Sequence, residues 1–117
     1  IMQYTEKFQA LCDAAMAKVE GIEPNTVDER VKNGAIALDI RDKEEHDKGH
    51  IKGSMNISRG KLEMIVEGKL PDLEREILCY CNAYNSGALS AASLKEMGYV
   101  NAKYIAGGLI AYKELNK

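Results

Sequence analysis

The chain has no tryptophan, one phenylalanine and two prolines among 117 residues. No stretch comes near the roughly 20 consecutive apolar residues that span a bilayer, which argues against a membrane helix. No basic cluster stands out either. Sixteen Lys and Arg are interspersed with eighteen Asp and Glu, for a net charge of -2. Nothing therefore points to nucleic acid or an anionic membrane as partner. The six tyrosines are scattered, so no stacking platform for single strands emerges. Three cysteines cannot all pair, and their spacing is not a disulfide framework. The opening residues lack the charged-then-apolar pattern of a signal peptide. A reducing cytoplasm is the expected setting. His46 and His50 are four residues apart, but Gly49 and Gly53 interrupt any helix there and no third ligand is near. No metal is expected.

What is present is the balance of a globular domain, with 45% hydrophobic and 29% charged residues. A chain of this length fits one domain and buries roughly two thirds of its unfolded surface. Residues 4–19 place Phe8, Leu11, Cys12, Ala15, Met16 and Val19 on one face, which predicts an amphipathic helix ended by Gly21 and Pro24. This helix, residues 1–21, is expected to pack on a domain of residues 22–117. Thr26 and Glu29 have capping-box spacing, so a short helix should follow and close at Gly34. AIALDI, residues 35–40, and ILCYC, residues 77–81, are short apolar runs suited to buried strands. The charged residues 41–48 fit a loop or a solvated helical turn.

Ser58 can cap a short helix that carries Leu62, Ile65 and Val66 inward and stops at Gly68. Residues 87–97 form an Ala-rich helix stopped by Gly98. Residues 102–106 fit a third strand, and a last helix carries Leu109, Ala111, Tyr112 and Leu115 after Gly107 and Gly108. Strands alternating with helices predict an α/β fold, a mostly parallel sheet covered on both faces.

The informative unit is strand, Cys81, polar loop, helix. Ligands of open α/β sheets bind beyond the carboxyl ends of the strands, where Cys81 falls. The loop feeds a helix amino terminus, whose amides and dipole favour negative charge, so a thiol there should ionise more readily. The loop of Asn82, Ala83, Tyr84, Asn85, Ser86 and Gly87 could hold an anion with the same amides. Spacing alone leaves a reactive Cys81 and an inert packing cysteine both open. Cys79, one layer deeper in the strand, and Cys12, on the apolar helix face, read as packing.

Two separated segments resemble the rhodanese-like family. The first supplies Asp39, Arg41, Glu44, Gly49, His50, Ile51, Gly53, Ser54, Asn56 and Ile57, matching the family's Asp-x-Arg strand end and Gly-His-Ile-x-Gly signature. The second supplies Leu94, Gly98, Tyr99, Gly107, Gly108 and Tyr112 after the cysteine loop. The resemblance covers about residues 22–115. It implies a three-layer α/β/α fold with a mostly parallel sheet of about five strands, and Cys81 at the nucleophile position. It also implies a sulfurtransferase or persulfide carrier: Cys81 takes the outer sulfur of thiosulfate or another persulfide donor and yields it to an acceptor thiol. No cofactor is implied. In the family, Asp39 is chiefly architectural and fixes neighbouring amides.

One departure bears on activity. The loop has the six-residue length of sulfurtransferases, but Ser86 stands where active relatives carry Arg, and Tyr84 where they carry a small residue. A hydroxyl cannot replace a bidentate guanidinium, which weighs against thiosulfate turnover. Arg59 could supply charge to the pocket, or be a solvated surface arginine. The alternative function is a rhodanese-like protein-binding or regulatory module, with Cys81 unreactive and Tyr84 exposed as a contact.

Overall fold

The computed structural model describes residues 3–115; Ile1, Met2, Asn116 and Lys117, at the ends of the two expected segments, lie outside them. In chain order the elements are α1 (Glu6–Lys18), β1 (Gly21–Ile22), α2 (Val27–Lys32), β2 (Ile36–Asp39), α3 (Lys43–Lys48), β3 (Met55–Asn56), α4 (Leu62–Lys69), β4 (Ile77–Tyr80), α5 (Asn85–Glu96), β5 (Ala102–Ile105) and α6 (Gly108–Leu115). Five strands form one parallel sheet in the order β1-β5-β4-β2-β3. This is the three-layer α/β/α architecture expected.

The apolar runs are strands because helices cover both sheet faces, leaving no position of β4 for a polar residue to reach water. Alternation along β4 sends Ile77 and Cys79 into a core shared with Leu62 and Val66 of α4 and with Ala91 and Leu94 of α5. Leu78 and Tyr80 enter the other core with Val27, Ile51 and Leu109. Helix α1 packs against α5 with Cys12 and Ala15 buried, while Leu11, expected on the same face, is 59% exposed.

Several local expectations are corrected. Thr26 does not cap α2 with its side chain. Pro24 opens a 3-10 turn that puts Thr26 at φ -98°, ψ -8°, whereas a capping residue needs extended backbone. Its hydroxyl instead donates to the Glu23 carbonyl at 2.8 Å. Ser58 likewise makes no capping bond, because a 3-10 turn at Arg59–Lys61 precedes α4, and Gly68 lies inside that helix. Gly21 belongs to β1; α1 already ends at Lys18, where Val19 turns extended. Residues 43–48 take the helical one of their two expected forms, with no residue buried, and α5 begins two residues earlier than expected.

The chain leaves β2 toward the core holding Ile51 and leaves β4 toward the core holding Ala91 and Leu94. Adjacent strands whose connections diverge to opposite faces open a crevice at their carboxyl ends. Asp39 and Tyr80 are register partners, so Ile40 and Cys81 emerge side by side at that crevice. Arg59 joins them because its amide donates to the Ile40 carbonyl at 2.9 Å.

Candidate active site

Cys81 follows β4 directly and is half-buried, whereas Cys12 and Cys79 are fully buried. The loop that leaves it is tight because α5 begins close against the strand. A Cβ on Gly87 would lie 3.3 Å from the Cys79 carbonyl and from the Tyr80 Cα. On the other side the loop is anchored to α6. The Cys81 and Asn82 carbonyls accept from the amides of Leu109 and Ile110 at 2.9 and 3.1 Å. In a planar trans peptide the N–H points opposite to the carbonyl. Those two bonds therefore turn the N–H groups of Asn82 and Ala83 away from α6. Gly108 permits the contact: its φ is +59°, and a Cβ there would sit 2.5 Å from the Cys81 carbonyl oxygen.

The neighbouring wall is the end of β2. Arg41 donates from Nε to Asp39 Oδ1 at 3.0 Å and from Nη2 to Oδ2 at 2.7 Å. The Arg41 amide and His46 Nδ1 add bonds to the same carboxylate at 3.0 and 2.9 Å. Burial opposes ionisation of Asp39, but the hydrogen bonds from Arg41 and His46 outweigh it and hold the carboxyl below its usual range. Arg41 also reaches across to the loop, with Nη1 donating to Asn82 Oδ1 at 3.3 Å. Asn82 in turn donates to Glu45 Oε2 at 3.3 Å. Asn56 holds the same turn by donating from Nδ2 to the carbonyls of Asp39 and Arg41 at 3.0 and 2.9 Å.

Cys81, Asn82, Ala83, Tyr84, Asn85, Ser86 and Arg59 line one cleft of about 580 Å³. Gly87 does not line it; it is buried beneath, against β4. Arg59 faces the cleft but is already paired with Glu63 at 2.7 Å. The sequence reading missed Arg41, Asp42 and Glu45 as lining residues, together with Tyr4, Phe8, Gln9 and Met16 of the amino-terminal segment. For Phe8 and Met16 the available signal was the apolar stripe of α1, which marks a buried face without saying what it covers.

The two other thiols are poor nucleophiles. Burial pushes Cys79 up to about 12. Burial also raises Cys12, with further contributions from Asp13 and Cys81. His46 and His50 stack with ring centroids 3.7 Å apart, and His50 Nδ1 lies 2.6 Å from the His46 carbonyl. The geometry assembles one accessible thiol, a short loop with outward amides, and a cleft in which both guanidiniums are in ion pairs. Such a set can carry out nucleophilic attack and stabilise a small sulfur anion.

The family profile of the rhodanese-like domain matches residues 23–115. A curated relative, thiosulfate sulfurtransferase GlpE of Ectopseudomonas mendocina, is 30% identical over 93 residues, covering 80% of this chain and 84% of its own. A solved protein of unknown function from Rhodopseudomonas palustris, described as a possible tyrosine phosphatase, superposes with a TM-score of 0.86. It is 23% identical and covers 99% of this chain and 96% of its own. The human single-domain sulfurtransferase TSTD1 gives a TM-score of 0.73 at 23% identity, over 82% of this chain and 96% of its own.

Proposed function

The chain belongs to the rhodanese-like domain family, and on that premise we propose that it carries sulfane sulfur as a persulfide on Cys81. The observation that carries this reading is the contrast among the three thiols. Cys12 and Cys79 are buried, and Cys81 alone opens into a cleft, at the carboxyl end of β4. The thiolate attacks the outer sulfur of a donor, the donor S–S bond breaks, and the electron pair leaves with the donor remnant. From thiosulfate that remnant is sulfite; from a low-molecular-weight persulfide it is a thiol. An acceptor thiolate then attacks the outer sulfur of the Cys81 persulfide and regenerates the thiolate. The Asn82 and Ala83 amides would stabilise the persulfide anion. No cofactor is needed, and three unpaired thiols fit a reducing cytoplasm.

Ser86 in the loop, together with Arg41 and Arg59 in ion pairs, makes thiosulfate the poorer donor, because a dianion gains most from an unpaired guanidinium. Tyr84, 48% exposed, favours a second reading, a protein-binding module in which Cys81 is inert. Intact mass after incubation with thiosulfate and, separately, with cysteine persulfide decides between them, with Cys81→Ser alongside. The expected result is one added sulfur from the persulfide, removed by cyanide and absent from the variant. No added sulfur from either donor would leave the binding module as the standing reading.

A further inference from the structure

Helix α1 precedes the residues that the family profile matches, yet it forms one wall of the Cys81 cleft. Phe8, Gln9 and Met16 face the cleft from this helix, and Tyr4 does so just ahead of it. The Tyr4 ring packs on Phe8 with centroids 5.2 Å apart. The wall is fixed in place rather than loosely draped. Thr5 Oγ1 caps the helix by accepting from the Phe8 amide at 3.2 Å, and Cys12 and Ala15 are buried beneath it. Gln9 and Asn85 exchange a reciprocal amide pair, at 3.3 and 3.2 Å, that ties α1 to the first residue of α5. The loop adds Tyr84 to the lining of the same cleft.

Charge and size point the same way. The two guanidiniums of the cleft are paired with Asp39 and Glu63, and Asp42 and Glu45 add negative charge to its lining. A cleft of about 580 Å³ lies within the roughly 300–1,000 Å³ of sites that take organic ligands. A five-atom oxyanion would leave most of it empty and meet no unpaired cation there.

Building on the persulfide reading of Cys81, we propose that the wall of Tyr4, Phe8, Met16 and Tyr84 selects a donor with an apolar, aromatic body: a hydrophobic organic persulfide. The Cys81 thiolate attacks the terminal sulfur of R–S–SH. The new S–S bond to Cys81 forms as the donor S–S bond breaks, and the electron pair leaves on the R–S sulfur as a thiolate. The transferred sulfur brings its proton, which passes to that thiolate to give R–SH and the Cys81 persulfide anion. The group R lies against the aromatic and thioether side chains, which exclude water from it.

The test is the rate of sulfur loading on Cys81, followed by intact mass, with benzyl persulfide, cysteine persulfide and thiosulfate as donors. Wild type, Phe8→Ala and Tyr84→Ser are compared, with circular dichroism as the folding control. Tyr84 is half-exposed, so its variant tests the wall even if Phe8→Ala fails to fold. Benzyl persulfide should load wild type about tenfold faster than cysteine persulfide, the size of discrimination that an apolar pocket supports. That ratio should fall toward one in a folded wall variant. Equal rates with the two persulfides, or a ratio unmoved by both substitutions, would overturn the wall as a selectivity element while leaving the persulfide chemistry in place. No loading by any donor would overturn the persulfide reading, and this inference with it.

Discussion

The segments that follow β2 and β4 sit side by side at one end of the sheet, and they are held by different means. After β2, the fully buried Asp39 carboxylate receives four hydrogen bonds, from the Arg41 amide, Arg41 Nε and Nη2, and His46. After β4, Asn82, Ala83 and Tyr84 are exposed, and the loop is anchored by the backbone bonds of Cys81 and Asn82 to α6. Its side-chain bonds, at Asn82 and Asn85, reach outward to Arg41, Glu45 and Gln9. A buried charge cannot lose a partner cheaply, so the first segment is bound to its residue types. A loop shaped by its backbone can exchange side chains without losing its course. That difference explains how the fold persists with Ser86 in the loop, and why fold alone does not report the chemistry.

The comparison is tested hardest at Asp39. Asp39→Asn leaves the Arg41 guanidinium, 8% exposed, with only the half-exposed Glu45 carboxylate at 4.0 Å as counter-charge, and should cost about 3 kcal/mol at pH 7, read from the denaturation midpoint. The pH dependence carries a definite sign. Because the folded-state pKa of Asp39 is lowered, its contribution is complete above the ordinary carboxylate value of about 3.9 and is lost as pH falls through the lower folded value. The gap between wild type and variant should therefore be widest at neutral pH and close below about pH 4. A gap below about 1 kcal/mol, or one unchanged between pH 7 and 3, would remove the distinction between the two segments.

Next in size is the backbone anchor. Gly108→Ala forces an alanine into the left-handed region and pushes a Cβ to within 2.5 Å of the Cys81 carbonyl oxygen and 2.6 Å of that of Ala83. The conformational cost alone is about 1–2 kcal/mol, and the displaced loop should bring the loss to about 2–3 kcal/mol. Sulfur loading of Cys81 should slow in the same variant. Gly60, with open space around it, provides the control: Gly60→Ala should stay within about 0.5 kcal/mol of wild type. If both alanines were equally harmless, the α6 contact would not be what shapes the loop.

What could be read from the sequence follows the same division. β2 and β4 are legible because two covered faces demand continuous apolar runs, and α5 because small residues recur before Gly98. β1 and β3 have two residues each, too few to show a period. They exist only through pairing with Tyr104–Ile105 and Leu38–Asp39. The capping expectations at Thr26 and Ser58 both failed where a 3-10 turn precedes the helix. At Thr26 it takes the backbone out of the extended region, and at Ser58, which stays extended, it moves the start of α4 on to Leu62. In the site, Cys81 and its loop were legible from their place between strand and helix. Phe8 and Met16 were recognised as one face of a helix, but that pattern holds no information about which opening the face would border. That depends on where α1 docks on α5, a long-range contact.

The smallest effect is expected at Tyr84, where the comparison predicts near-indifference of the fold. Its ring is 48% exposed, so truncation forfeits about half of the burial free energy of a large apolar side chain at most, roughly 1 kcal/mol or less. Unlike Asp39, it leaves no buried charge behind, and unlike Gly108 it asks nothing of the backbone. Tyr84→Ala should thus shift the denaturation midpoint by less than a third of the Asp39→Asn shift, with an unchanged denaturant slope. A loss as large as that of Asp39→Asn would mean that the loop depends on its side chains after all. Ser86 would then need a compensating contact of its own, and the freedom of this loop to change its chemistry without changing the fold would be lost with it.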